Sequence, residues 1–310
     1  MKVKEFIRDK VAGIQKTVGN MEAISALSGG VDSSVCTILA WRALGDKLKV
    51  IFIDDGLMRQ GEPEQVRAVF GKLGIDVEIV NARDEFFAAL VGKTDPEDKR
   101  KAFRQIFYTV FGHQVRRSGA RFLVQGTIAA DIIETKGGVK TQHNILEQIG
   151  IDPEQGFGFK VVEPIKELFK PDVRRVAKEL GLPESVYNRM PFPGPGLMAR
   201  VLGEVTPERV AIVRAATVVV EQEIRKFSPF QAFAVLLNDM GTGIEGGKRK
   251  FGHIIIIRSV ESRDAMKAQP TPVPWDALMK MSRRIVKEIP TVTRVAYELT
   301  PKPPATIEYI

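Results

Sequence analysis

One cysteine, three histidines and no apolar run long enough to cross a bilayer are what this 310-residue sequence has least of, and each scarcity closes off a class of protein. A lone Cys36 builds neither a disulfide framework nor a cysteine-rich metal centre, and it points to a reducing compartment, the cytoplasm. A membrane-spanning helix needs about 20 consecutive apolar residues, and no such run occurs. Met1 to Val18 is charged and amphipathic, without the apolar core of a signal peptide. Lys and Arg number 46 against 38 Asp and Glu, a net charge of +8 that favours anionic partners. Nowhere do five basic residues run together or interleave with aromatics, so small phosphorylated ligands are expected rather than nucleic acid.

What is present reads as a soluble α/β protein of two domains. Short apolar runs alternate with amphipathic stretches: strands are expected at Ala23–Leu27, Leu48–Ile53, Val77–Val80 and Arg121–Gln125, and helices at Ser33–Leu44, Glu64–Leu73 and Pro96–Arg117. That order predicts an open parallel sheet. Thr135–Phe159 turns polar and Gly-rich and is longer than most connections, which suggests a lid, and Asp172–Leu180 follows as a helix. Pro191, Pro193 and Pro195 exclude helix or central strand and set the domain boundary, giving domains of 1–189 and 190–310. The second is expected to be a smaller mixed α/β domain. Its helices are Pro207–Lys226 and Asp276–Glu288, and its strands Phe230–Leu237, His253–Val260 and Thr293–Tyr297.

The sharpest local signal is Ser28-Gly29-Gly30-Val31-Asp32-Ser33-Ser34, between an expected buried strand and a helix start. Two glycines let the backbone turn tightly against a phosphate, and a helix N-terminus offers unpaired amides and a positive dipole end. Three serines add hydroxyls, and Asp32 adds a hard oxygen suited to Mg²⁺ carried by a nucleotide. The loop is neither a Walker A motif nor a dinucleotide fingerprint. The plainer alternative is a strand-to-helix turn with Ser and Asp as caps. Cys36 falls one helical turn beyond Asp32 and reads as a core residue.

These residues resemble the PP-loop of the ATP pyrophosphatases, enzymes that cleave ATP between the α and β phosphates. Within that group the sequence is similar to the synthetase domain of the GMP synthetase family. The likeness extends over Phe52–Arg59, Gln125–Thr127, Asp131–Glu134, Glu163–Lys170, Pro191–Leu197 and Lys302–Glu308. It departs at Asp55, at Ala129-Ala130 and at Gln142, where a second histidine is common before His143 and Asn144. The resemblance implies the fold of that family with a C-terminal dimerisation domain, and adenylylation of xanthosine 5′-monophosphate (XMP) by ATP with Mg²⁺, followed by attack of ammonia. It implies catalytic roles for Asp32, Lys140 and His143, ATP contacts by Ser28 to Ser34 and Gly126, and acceptor-nucleotide contacts by Gln231, Lys302, Thr306 and Glu308. Arg200 and Arg258 are further phosphate candidates. Asp131 and Glu134 bind substrate or metal, or cap a helix; both readings stand at this point. A homodimer and a separate glutaminase subunit are also implied, because only about one helix precedes the loop and no second cysteine exists to hydrolyse glutamine.

Two enzyme relatives and one binding module compete with this reading. The tRNA thiolases share the loop but relay sulfur through reactive cysteines, and NAD synthetase lacks segments like Pro191–Leu197 and Lys302–Glu308. A basic nucleic-acid-binding module would carry the clustered charge that is missing here.

Overall fold

The computed structural model describes residues 1–136, 159–263 and 265–310, with backbone alone for 133–136. The chain begins α1 (Val3–Val18), β1 (Ala23–Leu27), α2 (Val31–Leu44), β2 (Leu48–Asp54), α3 (Glu62–Gly71) and β3 (Glu78–Asn81). It continues α4 (Arg83–Leu90), α5 (Pro96–Ser118), β4 (Phe122–Val124), α6 (Ala129–Lys136), β5 (Lys160–Val162), α7 (Lys170–Glu179) and α8 (Glu184–Tyr187). Last come α9 (Pro207–Ile224), β6 (Gln231–Glu245), β7 (Lys248–Glu261), β8 (Gln269–Pro270), α10 (Trp275–Glu288) and β9 (Val292–Tyr297).

The chain divides into two compact units. The first comprises Met1–Asp54, Gly61–Asn81 and Tyr108–Arg189, and the second Asp55–Gln60, Ala82–Phe107 and Met190–Ile310.

In the first unit five strands form a fully parallel sheet in the order β3-β2-β1-β4-β5. The continuous apolar runs of β1 and β2 are what a parallel sheet covered on both faces demands, and Ile24, Ile51 and Phe52 are wholly buried. Helices α1, α2 and α7 pack on one another, α1 through its one apolar stripe of Ile7, Ile14 and Val18. Strand order reverses between β1 and β4, the point at which open α/β sheets bind ligands beyond the strands' carboxyl ends.

The second unit holds a mixed sheet in which β7 pairs antiparallel with β6 and β8 and parallel with β9. Helices α9 and α10 pack together, α9 on β6 and α10 on β9. Thr206 caps α9 by accepting from the Arg209 amide at 3.3 Å. The β6–β7 hairpin is longer than its expected strands, running to Glu245 and Lys248 past a register shift between Leu236 and Met240. Its turn is Gly246-Gly247, both with positive φ, the signature of a tight hairpin. Other differences are local. A short α4 and a three-residue β5 were not anticipated, and the proline-rich stretch ends in a 3₁₀ turn at Gly196–Arg200, where the prolines give out.

Candidate active site

In the first unit, residues 28–34 leave the carboxyl end of β1 and enter α2 as expected from the sequence. Gly29 has φ +71°, which only glycine adopts cheaply, and a Cβ there would strike the Glu62 carboxylate and the Arg189 guanidinium. Those two groups form a 2.6 Å ion pair behind the loop. The serines close the loop on itself. Ser33 Oγ accepts from the Ser28 amide at 3.2 Å and lies 3.0 Å from Ser28 Oγ, while Ser34 Oγ donates to Gly30 O at 2.8 Å. The first intrahelical bond is Ser34 N to Gly30 O, 3.1 Å, so the preceding amides have no partner within the helix, an arrangement suited to an anion.

From the other side of the strand-order reversal comes Gly126. A Cβ on it would lie 2.9 Å from Ser33 N and 3.0 Å from the Asp32 carbonyl carbon, so the loop after β4 touches the first turn of α2 backbone to backbone. The neighbouring Thr127 donates its hydroxyl to Glu163 at 2.6 Å. Asp32 Oδ2 accepts from Lys170 Nζ at 2.5 Å, and Asp32 Oδ1 is buried with no hydrogen-bond partner among the described residues. One open carboxylate oxygen suits a nucleotide-borne Mg²⁺, which takes most of its ligands from phosphate and water. No cluster of three or more His, Cys, Asp or Glu that would hold a metal on protein ligands alone occurs among the described residues. One turn further along α2, Cys36 is wholly buried; burial, reinforced by the charges of Asp32 and Glu163, pushes its thiol well above the usual range. The core reading of Cys36 therefore holds.

Lys170, Glu62 and Arg189 were not among the residues singled out from the sequence. Lys170 ends the Glu163–Lys170 segment, but its meeting with Asp32, 138 positions away, has no local signature. Asp131 does cap a helix: its Oδ2 accepts from the Ile128 amide at 2.9 Å at the start of α6, the reciprocal half of a capping box. Lys140 and His143 lie outside the described residues, as does the side chain of Glu134.

The second unit gathers Gln231 and Glu308. Gln231 Nε2 donates to Glu308 Oε1 at 2.6 Å and to Pro191 O at 3.3 Å. Arg200 grips the same carboxylate with Nε to Oε2 at 3.1 Å and Nη2 to Oε1 at 2.9 Å. Lys302 Nζ donates to Ala265 O at 2.8 Å and the Thr306 hydroxyl to Glu308 O, so both serve the backbone of their own segment or its neighbour. Arg258, a phosphate candidate from the sequence, is fully buried and donates to Thr300 O at 2.6 Å and Thr306 O at 3.0 Å. Arg200 and Arg258 thus anchor the segment that carries Glu308. Ile307 is buried against Phe233, Val235, Val260 and Ala268, so this side chain pins the Lys302–Glu308 segment to the core.

Two family models match different stretches of the chain, and single relatives match nearly all of it. A family model described as NAD synthase matches residues 1–194, and one described as GMP synthase C terminal domain matches residues 218–309. A GMP synthase [glutamine-hydrolyzing] subunit of Methanoregula boonei is 52% identical over 310 residues, covering 100% of this chain and 99% of that protein. The corresponding GMP synthase subunits of Archaeoglobus fulgidus and Pyrococcus furiosus are 49% and 50% identical, over 100% and 99% of this chain and 100% and 97% of their own lengths. The NAD synthase likeness covers the loop-bearing part of the chain, whereas these relatives match it from end to end with the Glu308 segment included. The chain belongs to this family of GMP synthase subunits.

Proposed function

We propose that this chain makes GMP from XMP, ATP and ammonia, and that the ammonia comes from a separate glutaminase subunit. The C2 carbonyl oxygen of XMP attacks the α-phosphorus of ATP and the bond to the bridging oxygen of pyrophosphate breaks. Ammonia then adds at C2, a proton is lost, and the C2–O bond breaks to release AMP. The chain's contribution is to position groups and neutralise charge where they are needed.

The amides and hydroxyls of Ser28 to Ser34 are suited to hold the departing pyrophosphate, with Gly126 keeping the first turn of α2 in place. Asp32 would hold nucleotide-borne Mg²⁺ through Oδ1, and that ion supplies charge neutralisation on the leaving group. Lys170, beside Asp32, would be a second cation for the same charge. Lys140 and His143 are proposed to close over the phosphates, and Glu134 with Asp131 to border the nucleotide. Gln231, Lys302, Thr306 and Glu308 are proposed to contact XMP. The second unit is proposed to form the homodimer, and the cytoplasm to be the compartment; no described helix is long and apolar enough to cross a membrane.

The observation that carries the nitrogen-source reading is the burial of the one cysteine. Glutamine hydrolysis needs an accessible, activated nucleophile, and Cys36 is neither. The purified chain with ATP, Mg²⁺ and XMP should form GMP with ammonium and none with glutamine. Ammonium-supported turnover should rise with pH, because neutral ammonia attacks. Turnover on glutamine equal to that on ammonium sinks the two-subunit reading, and no GMP from either source sinks the assignment of activity.

A further inference from the structure

We infer that Arg200 is a positioning residue for the acceptor nucleotide, acting through Glu308; this rests on the proposed contact of Glu308 and Gln231 with XMP. Arg200 closes the 3₁₀ turn after the proline-rich stretch and is only 1% exposed. A buried guanidinium is costly unless it is paired, and its pairing is specific. Nε and Nη2 present a two-pronged fork to the two oxygens of Glu308, a geometry that lysine cannot reproduce. The guanidinium carbon also lies 4.1 Å from the Phe233 ring centroid and 5.0 Å from that of Phe192. Both rings therefore help hold the cation. Nη1 has no hydrogen-bond partner among the described residues, so the Glu308 carboxylate is its one anionic anchor shown.

The hydrogen-bond inventory then fixes what is left for a ligand. Pro191 O and the Glu308 carboxylate can only accept, so the Gln231 amide nitrogen faces both and its two hydrogens are used. Glu308 Oε1 receives two donors, Arg200 Nη2 and Gln231 Nε2, and is filled. Glu308 Oε2 receives Arg200 Nε alone, leaving one lone-pair direction, and the Gln231 carbonyl oxygen remains an acceptor. Arg200 thus decides which carboxylate oxygen faces the ligand and at what angle. The pair it arranges is acceptor-only, matched to a ring edge that offers N–H groups.

Steady-state kinetics of the full chain with ammonium, ATP and XMP tests this in Arg200→Lys, Glu308→Gln and the double variant. Arg200→Lys should raise KM for XMP about tenfold or more, with kcat and KM for ATP within about twofold of the parent. The double variant should be no worse than Glu308→Gln alone, because a residue acting through another has nothing left to act on. If Glu308→Gln raises KM for XMP and Arg200→Lys leaves it unchanged, the inference falls; it falls also if the two effects multiply. If Glu308→Gln itself leaves KM for XMP unchanged, the underlying reading of Glu308 fails instead. Should Arg200→Lys not fold, Arg200→Gln keeps one donor toward Glu308 without burying a charge, and it removes the fork. A raised KM for XMP with KM for ATP unchanged then supports Arg200, and an unchanged KM overturns it.

Discussion

The two units handle polar groups in opposite ways. At the loop of the first unit, serine hydroxyls bind one another, the first amides of α2 stay open, and one oxygen of Asp32 has no partner among the described residues. The second unit buries its cations and holds them with carbonyls and a carboxylate of its own, although Arg200 Nη1 and Arg258 Nε have no hydrogen-bond partner among the described residues. Lys99, Arg200 and Arg258 are the cationic side chains that are wholly buried among the described residues, and all three belong to it. An open cradle is what a transient, highly charged ligand requires. A closed network instead fixes a chain segment in one conformation, and each of its members becomes costly to remove. The same substitution chemistry should therefore hit function in one unit and stability in the other.

Asp32→Ala is the harshest test of the first half of that contrast. It removes a partly exposed side chain from a loop and should lower pyrophosphate release by more than about 10²-fold while leaving the unfolding midpoint within a few degrees. Near-normal pyrophosphate release from a folded variant would mean that the loop is misassigned. On the other side, truncation before Lys302 removes Glu308, the anionic partner of Arg200, and Thr306 O, one of the acceptors of Arg258, which keeps Thr300 O. Breaking one buried pair costs about 3–5 kcal/mol, so thermal melting should show the loss of the second unit's transition rather than a clean loss of XMP binding. An unchanged melt would show that those buried cations are solvated after all.

A smaller effect belongs to Gly126→Ala. The new methyl would meet backbone, not a flexible side chain, so the first turn of α2 must shift. KM for ATP should rise about tenfold, in line with the loss of aligned hydrogen bonds worth roughly 1.5 kcal/mol. A normal KM for ATP would show that the loop tolerates displacement.

The gentlest test is Lys99→Met. Burial and the nearby Arg209 push the Lys99 ammonium down to about 8, and it donates to Val201 O at 2.9 Å. The unfolded chain keeps this proton to about pH 10.4. The burial cost is therefore present in full below pH 8 and is relieved as pH rises from 8 toward 10.4, where the native state sheds the proton first. Chemical denaturation across that window should show the parent gaining stability relative to Lys99→Met. A difference that stays flat from pH 7 to 10.5 contradicts the assignment.

The contrast between the units also explains what was legible in the sequence. Ser28 to Ser34 are contiguous, and a strand, two glycines and a helix cap speak in one short window. The parallel sheet followed from apolar runs spaced by amphipathic helices, and all four of its expected strands formed. The Asp32–Lys170 contact spans 138 positions and the Arg200–Glu308 contact 108; no periodicity encodes such meetings. Arg200 and Arg258 looked like phosphate ligands because an arginine's type is visible in a sequence and its burial is not. The far half of the β6–β7 hairpin was missed because Asn238 to Glu245 is polar and glycine-rich, although the Glu245-Gly246-Gly247-Lys248 turn carried a hairpin signal.

Burial of Cys36 in the first turns of α2 makes the chain its own opening gauge. A thiol reagent cannot reach a side chain at 0% exposure unless α2 lifts from the sheet, and the raised thiol pKa slows reaction further. With one cysteine in 310 residues, every labelling event reports that single opening, with no background to subtract. Its rate, compared with that of the unfolded chain, measures the local opening free energy of the very helix that presents the open amides. A ligand seated on the N-terminus of α2 should suppress labelling in proportion to its occupancy. The residue that plays no part in the chemistry thus becomes the most direct readout of whether the nucleotide is bound.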